Sequence, residues 1–235
     1  MNNLVLITSI IYTPNIPLSY INTRSIYSPT ERFEQTKLTI KSVQEKIPNS
    51  KIILIECSEF NEEKNNLYML QYLRENTDYF INLYDNENIR NNIYSKSKSL
   101  CEGSMTIYIL DYIIKNNIKF DNLIKISGRY WLSDKFNYLR DFDNNNIVIK
   151  NIDSHLVNVF TALYKLPYSY VNLFLDYLIK NMQKMFYYIG YENLFANFLN
   201  QLCEIDIQRN QAIIKIIENI GLQGYVSVSG EFYDG

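Results

Sequence analysis

Apolar residues along this chain fall into short solid runs and into helical stripes, and the two alternate. Residues 4–11 are apolar almost throughout and rich in β-branched side chains, which predicts a central strand buried on both faces. Residues 12–30 hold three of the five prolines with many Ser and Asn, which predicts a long loop. Long loops inside compact folds usually carry function or motion. A helix is expected from Pro29 to about Lys46, with Phe33, Leu38, Ile40, Val43 and Ile47 on its apolar stripe and Pro48 ending it. A second strand follows at 51–56. This strand–loop–helix–strand order is that of a parallel α/β unit.

The alternation continues. A helix is expected at 62–76, a short strand at 79–84, and a helix at 99–116 with Met105, Tyr108, Ile109, Tyr112 and Ile113 on one face. Strands are expected at 122–126, 147–152 and 160–164, and the Asn-rich stretches 86–92 and 144–146 read as exposed turns. From 168 to 219 the pattern turns helical. Val171, Leu175, Leu178 and Met182 form one stripe, Leu194, Phe198 and Leu202 another, and Ile213, Ile214, Ile216 and Ile217 a third. Residues 224–230 alternate like a closing strand. The expected fold is α/β, a mixed, mainly parallel sheet flanked by helices, with a helix-rich C-terminal part. It is read as one domain over 1–235, with an α/β ligand-binding part at 1–167 and a helical part with its closing strand at 168–235.

Composition narrows the function. Hydrophobic residues make up 47% and charged residues 20%, which excludes a disordered chain. The formal net charge is −2 and the lysines are dispersed, so the basic footprint of a nucleic-acid binder is missing and a membrane-surface role gains little support. The N-terminus shows no basic leader region, and no apolar run approaches the roughly 20 residues of a membrane span. Cys57, Cys101 and Cys203 are far apart with no CxxC pair, which fits free thiols in a reducing compartment, so a cytoplasmic location is expected.

Two segments carry candidate chemistry. Residues 125–131, Lys-Ile-Ser-Gly-Arg-Tyr-Trp, leave a strand abruptly. Gly128 removes a side chain where a ligand or backbone comes close, Arg129 offers a cationic fork for phosphate or carboxylate, and Tyr130 and Trp131 offer stacking surface. Arg129 reads equally well as an ion-pair partner of Asp134 or Asp141. Upstream, Ser97 to Gly103 open a helix, and a helix N-terminus with Lys96 and Lys98 favours anions, although Lys98 alone reads first as a solvated lysine. Both segments lie at strand ends, where open α/β sheets bind ligands. Arg32 fits either a ligand contact or a pair with Glu34 or Glu56. Glu192, beside aromatics, fits either a general base or a carboxylate on a helix dipole.

Metal ligands are scarce. His155 is the only histidine and reads as a turn residue before it reads as a ligand. Asp141 and Asp143 form an Asp-x-Asp able to hold Mg²⁺, but next to Asn144, Asn145 and Asn146 they read first as a surface turn. No GxSxG elbow, Walker loop or GxGxxG is present.

The order of these motifs resembles that of GT-A type nucleotide-sugar glycosyltransferases. The resemblance rests on the first apolar strand, the helix starting Glu31-Arg32-Phe33, the strand ending Glu56-Cys57-Ser58, the helix opening Lys98 to Gly103, the strand 123–130, the late acidic residue Glu192 and the closing segment 224–230. It implies transfer of a sugar from a nucleotide-diphosphate donor to a hydroxyl acceptor, a glycan by expectation. Arg129 and Glu192 are then the catalytic candidates, and Arg32, Ser58, Lys98, Glu102, Lys125, Ser127, Gly128 and Tyr130 the donor-binding ones. The chain departs from the family at the strand end, where an Asp-x-Asp ordinarily holds Mn²⁺ or Mg²⁺ and Ser127-Gly128-Arg129 stands instead. No cofactor is therefore expected, and cations take the metal's place. A nucleotide-sugar-binding or scaffold protein with the same fold and no activity is the competing expectation.

Overall fold

A computed structural model describes residues 1–153, 156–209 and 213–235, the stretch 205–209 by its backbone alone. The elements in chain order are β1 (Asn3–Thr8), α1 (Pro29–Lys46), β2 (Ser50–Glu56), α2 (Leu67–Glu75), β3 (Tyr79–Asn82), α3 (Glu87–Ile93), α4 (Lys98–Lys115), β4 (Asn122–Ser127) and β5 (Tyr130–Leu132). After one π-helical turn (Tyr138–Phe142) come β6 (Ile147–Asn151), β7 (Val159–Pro167), α5 (Tyr168–Phe186), α6 (Tyr191–Arg209), β8 (Ile214–Ile216), β9 (Leu222–Tyr225) and β10 (Phe232–Asp234).

Seven strands form one sheet in the order β3-β2-β1-β4-β7-β6-β8. Only β7 runs against its neighbours, so the sheet is mixed and mainly parallel, as the sequence pattern predicts. β1 lies inside it, between β2 and β4, and its alternation splits the core. Leu4 and Leu6 face α3 to α6, while Val5 and Ile7 face α1 and α2. A strand apolar on both faces is what a central parallel strand requires. β5, β9 and β10 form a small antiparallel sheet on the α1 side.

α1 shows how the sequence positions the strand-end turn. Ser28 and Glu31 form a capping box, and Pro29 occupies the first turn. Leu38 of the expected stripe points to solvent. The buried face carries hydroxyls instead: Thr36 donates to the Gly128 carbonyl (3.0 Å), Thr39 donates to the Tyr130 carbonyl (2.6 Å), and Ser42 accepts from the Leu132 amide (3.0 Å). Threonine and serine at this spacing satisfy the free edge of β5, which has β9 on its other side.

Four expectations are corrected. The Asn-rich stretch expected as a turn contains α3, because the Asn86 side chain caps it by accepting from the Ile89 amide at 3.2 Å. The run 213–217, expected as a helical stripe, is β8, paired in parallel with β6. The closing strand stops at Tyr225, and Val226 to Gly230 turn back into β10, Gly230 adopting φ +75°. The expected helix at 62–76 starts only at Leu67, because a buried Asn66 accepts from the Asn61 amide and holds a turn ahead of it.

Candidate functional site

The C-terminal ends of β1 and β4 meet at Gly128. Its amide donates to the Thr8 carbonyl at 2.8 Å, and a Cβ there would lie 3.1 Å from the Ser9 Cβ and 3.2 Å from the Thr8 oxygen. The glycine thus lets two strand ends approach; its role is packing. From the other side Gly224 sits so close that a Cβ would come within 2.5 Å of the Arg129 carbonyl oxygen. The Arg129 backbone is clamped between these glycines.

The Arg129 side chain enters a cleft of about 180 Å³ walled by the ends of β1 and β4, the start of β7 and the first turns of α4 and α6. The expected carboxylate partners are taken elsewhere. Asp134 pairs with Lys46 at 2.9 Å, and Asp141 with Arg140 at 2.5 Å and Lys215 at 3.3 Å. Among the described residues Arg129 Nε is buried with no hydrogen-bond partner, and the guanidinium lies 5.7 Å from the Tyr130 ring centre. A buried unpaired donor is costly unless water, an ion or a ligand meets it, and this one belongs to a side chain that lines a cleft.

A second hollow of about 160 Å³ continues from the first beneath the β1–α1 loop and Val226–Val228, sharing Arg32, Lys98, Cys101 and Arg129 as walls. Arg32 is buried and ties this region together. It donates to the Ile10 carbonyl (2.6 Å) and to the Ser25 and Ser227 hydroxyls (3.2 Å each), joining the end of β1, the long loop and the closing segment. Neither expected carboxylate bonds it: Glu34 pairs with Lys37, and the buried Glu56 accepts from the Ile11 and Cys57 amides and the Ser58 hydroxyl. Burial, then the nearby Arg129, push the Arg32 pKa down to about 9, which leaves it charged at neutral pH. Burial raises the Glu56 carboxyl.

Lys125 lies below the cleft floor, fully buried. Its ammonium donates to Glu102 Oε1 (2.6 Å), Ser127 Oγ (2.9 Å) and the Thr161 carbonyl (2.7 Å). Three protons meet three acceptors, so this lysine joins β4, β7 and α4 and leaves no proton for a ligand. Burial alone would raise the Glu102 carboxyl; Lys125 and Lys98 hold it below the ordinary range. Lys98 itself pairs across the cleft mouth with Glu192 at 3.1 Å. Against partial desolvation, Glu192 and then Glu102 hold its ammonium above the ordinary lysine value.

Of the residues singled out from sequence, Arg32, Lys98, Glu102 and Ser127 come together on the cleft wall with Gly128, Arg129, Tyr130 and Glu192. Ser58 does not; its hydroxyl donates to Glu56 and accepts from the Tyr12 amide, behind the cleft. Trp131 packs against Tyr225 and Phe232 on the small sheet. His155 lies outside the described residues. Asp141 sits in the π-helical turn, and among the described residues no group of three His, Cys, Asp or Glu is placed to hold a metal. Cys57 and Cys101 are free thiols; burial pushes the Cys101 thiol up to about 11, far from a reactive thiolate. Among the described residues no helix is long and apolar enough to cross a membrane.

Sequence reasoning missed the wall formed by Ser9, Ile10 and Thr161, and it missed Arg24 in the long loop. Arg24 donates to the Ile16, Ile93 and Ser95 carbonyls and closes the second hollow. A lone arginine inside a Pro- and Ser-rich loop was the available signal.

No protein-family model matches this chain, and no curated protein does. Among solved structures, the chain is similar to the glycosyltransferase GlyE of Streptococcus pneumoniae TIGR4, at 14% identity and a TM-score of 0.47, over 93% of this chain and 45% of that one. It is also similar to mouse xyloside xylosyltransferase 1 in its apo form, at 8% identity and a TM-score of 0.42, over 92% of this chain and 85% of that one. The chain thus spans less than half the length of the GlyE chain.

Proposed function

We propose that this protein is a glycosyltransferase that moves a sugar from a nucleotide-diphosphate donor to a hydroxyl acceptor. The observation that carries the reading is the unpaired Arg129, its Nε buried and its guanidinium in a cleft that Arg32 and Lys98 also wall. The motif layout of the sequence supports the same reading. A diphosphate seated beside Arg129 meets oriented cations in a partly desolvated site, where they act more strongly than in water.

The strand end does not fit a divalent metal. Ser127, Gly128 and Arg129 bring no carboxylate, Glu102 is engaged by Lys125, and Glu192 by Lys98. Arg129, with Arg32 and Lys98, is proposed to offset the charge that gathers on the departing diphosphate. Glu192 is proposed to take the acceptor's proton in an inverting transfer. Tyr130, with its ring edge against Phe160 and Tyr233, is a wall that shapes the sugar end of the cleft.

The test is a thermal-shift series with nucleoside diphosphates and nucleotide sugars, with EDTA and with Mn²⁺, on the wild type and Arg129→Ala. A ligand at a hundred times its Kd adds about 2.7 kcal/mol to the folded state. The expected result is a shift that survives EDTA and disappears in Arg129→Ala. A shift that requires Mn²⁺, or none with any nucleotide, would overturn the reading. A nucleotide sugar that binds but is neither transferred nor hydrolysed with any glycan acceptor would favour the binding-protein alternative.

A further inference from the structure

Lys98, in the first turn of α4, reaches across the cleft mouth to Glu192 in the first turn of α6. The Lys98 side chain remains 48% exposed and that of Glu192 26%. Exposed pairs of this kind contribute little to stability and are easily exchanged. The surroundings are unbalanced. Among the described residues Arg129 has no carboxylate partner, and Arg32 bonds only neutral oxygens. The cation of the pair thus belongs to an anion site, and its carboxylate to the place where a proton is to be accepted. Pairing the two satisfies both while the cleft is empty.

On the transferase reading above, we propose that Lys98 is an exchangeable latch: it holds Glu192 in the empty cleft, and a diphosphate entering beside Arg129 draws it away, which frees the Glu192 carboxylate for the acceptor hydroxyl. The exchange breaks one ion pair and forms another, and no proton moves. In the transfer that follows, the acceptor oxygen bonds to the anomeric carbon. The carbon–oxygen bond to the diphosphate breaks, its electron pair leaves with the diphosphate, and the acceptor's proton goes to Glu192. An acceptor that arrives before the donor finds the carboxylate covered.

Calorimetric titration of the full chain with uridine and guanosine diphosphates tests this, on the wild type, Glu192→Gln, Lys98→Met and the double variant. Glu192→Gln is expected to tighten diphosphate binding about two- to fivefold, because Lys98 no longer leaves a partner. Lys98→Met is expected to weaken binding, and Glu192→Gln to add nothing on that background. Equal tightening in both backgrounds means that Glu192 repels phosphate directly, and overturns the latch while leaving the transferase reading standing. An unchanged or weaker affinity in Glu192→Gln does the same. If neither diphosphate binds the wild type, latch and transferase reading fall together. Equal unfolding midpoints for the four proteins separate these outcomes from misfolding.

Discussion

Helix α4 carries one member of each of two lysine–glutamate pairs, one turn apart, and the pairs behave as opposites. Glu102 meets Lys125, whose side chain is 0% exposed and has every proton bonded within the protein. Lys98 meets Glu192 at the cleft mouth, half in solvent, with one contact between them. The same chemistry is structural in one place and available in the other. What differs is the number of acceptors around the ammonium and the depth at which it sits.

Removing Lys125 breaks this contrast most severely. Lys125→Met leaves Glu102 partly buried without its main partner and two acceptors unmet, and is expected to lose about 3 kcal/mol or more in urea unfolding. Arg129→Ala comes next, on binding and not on folding. Losing a charged donor is expected to weaken nucleoside diphosphate binding about ten- to hundredfold in calorimetry, with an unchanged melting temperature.

A pH series sharpens the buried pair. The Glu102 carboxyl is held below its unfolded value, so its stabilisation is complete above the ordinary glutamate pKa of about 4.3 and drains away as pH falls through the lowered folded value. Glu56, raised by burial, works in the opposite sense and gains on acidification. Urea midpoints at neutral and acid pH are expected to fall less in Glu102→Gln than in the wild type. The smallest effect is expected from Lys98→Met, within about 1 kcal/mol of wild-type stability by the same measurement, as for other exposed pairs.

The sequence carried the framework of this contrast and not its content. The solid apolar run of β1 and the stripe of α4 were legible because the burial periods of strand and helix are strong signals. Three-residue strands such as β5, β8 and β10 are too short to show a period, so 213–217 suited a helix equally well. The Ser127-Gly128-Arg129-Tyr130 turn was legible as a strand end that presents something. Lys125 was not legible as a buried residue, because lysine is almost never found there. Its place follows from alternation with Leu123 and from registers that set it beside Leu6 and Tyr164. The Lys98–Glu192 pair joins residues far apart in the chain, and no local pattern encodes it.

The close fit of Gly224 against the Arg129 carbonyl also has a consequence in time. On the ribosome Arg129 emerges well before the segment from Leu222 to Gly235 that backs it, and the backbone bonds between Leu222 and Gly235 cannot form until that segment is made. The parallel strands β1 to β4 are made before that segment and do not need it for their own pairing. The cleft does need it. Its arginine gains its backing only when the late segment docks, so a chain that stops short of Leu222 is expected to pair β1 to β4 and to lack the finished cleft.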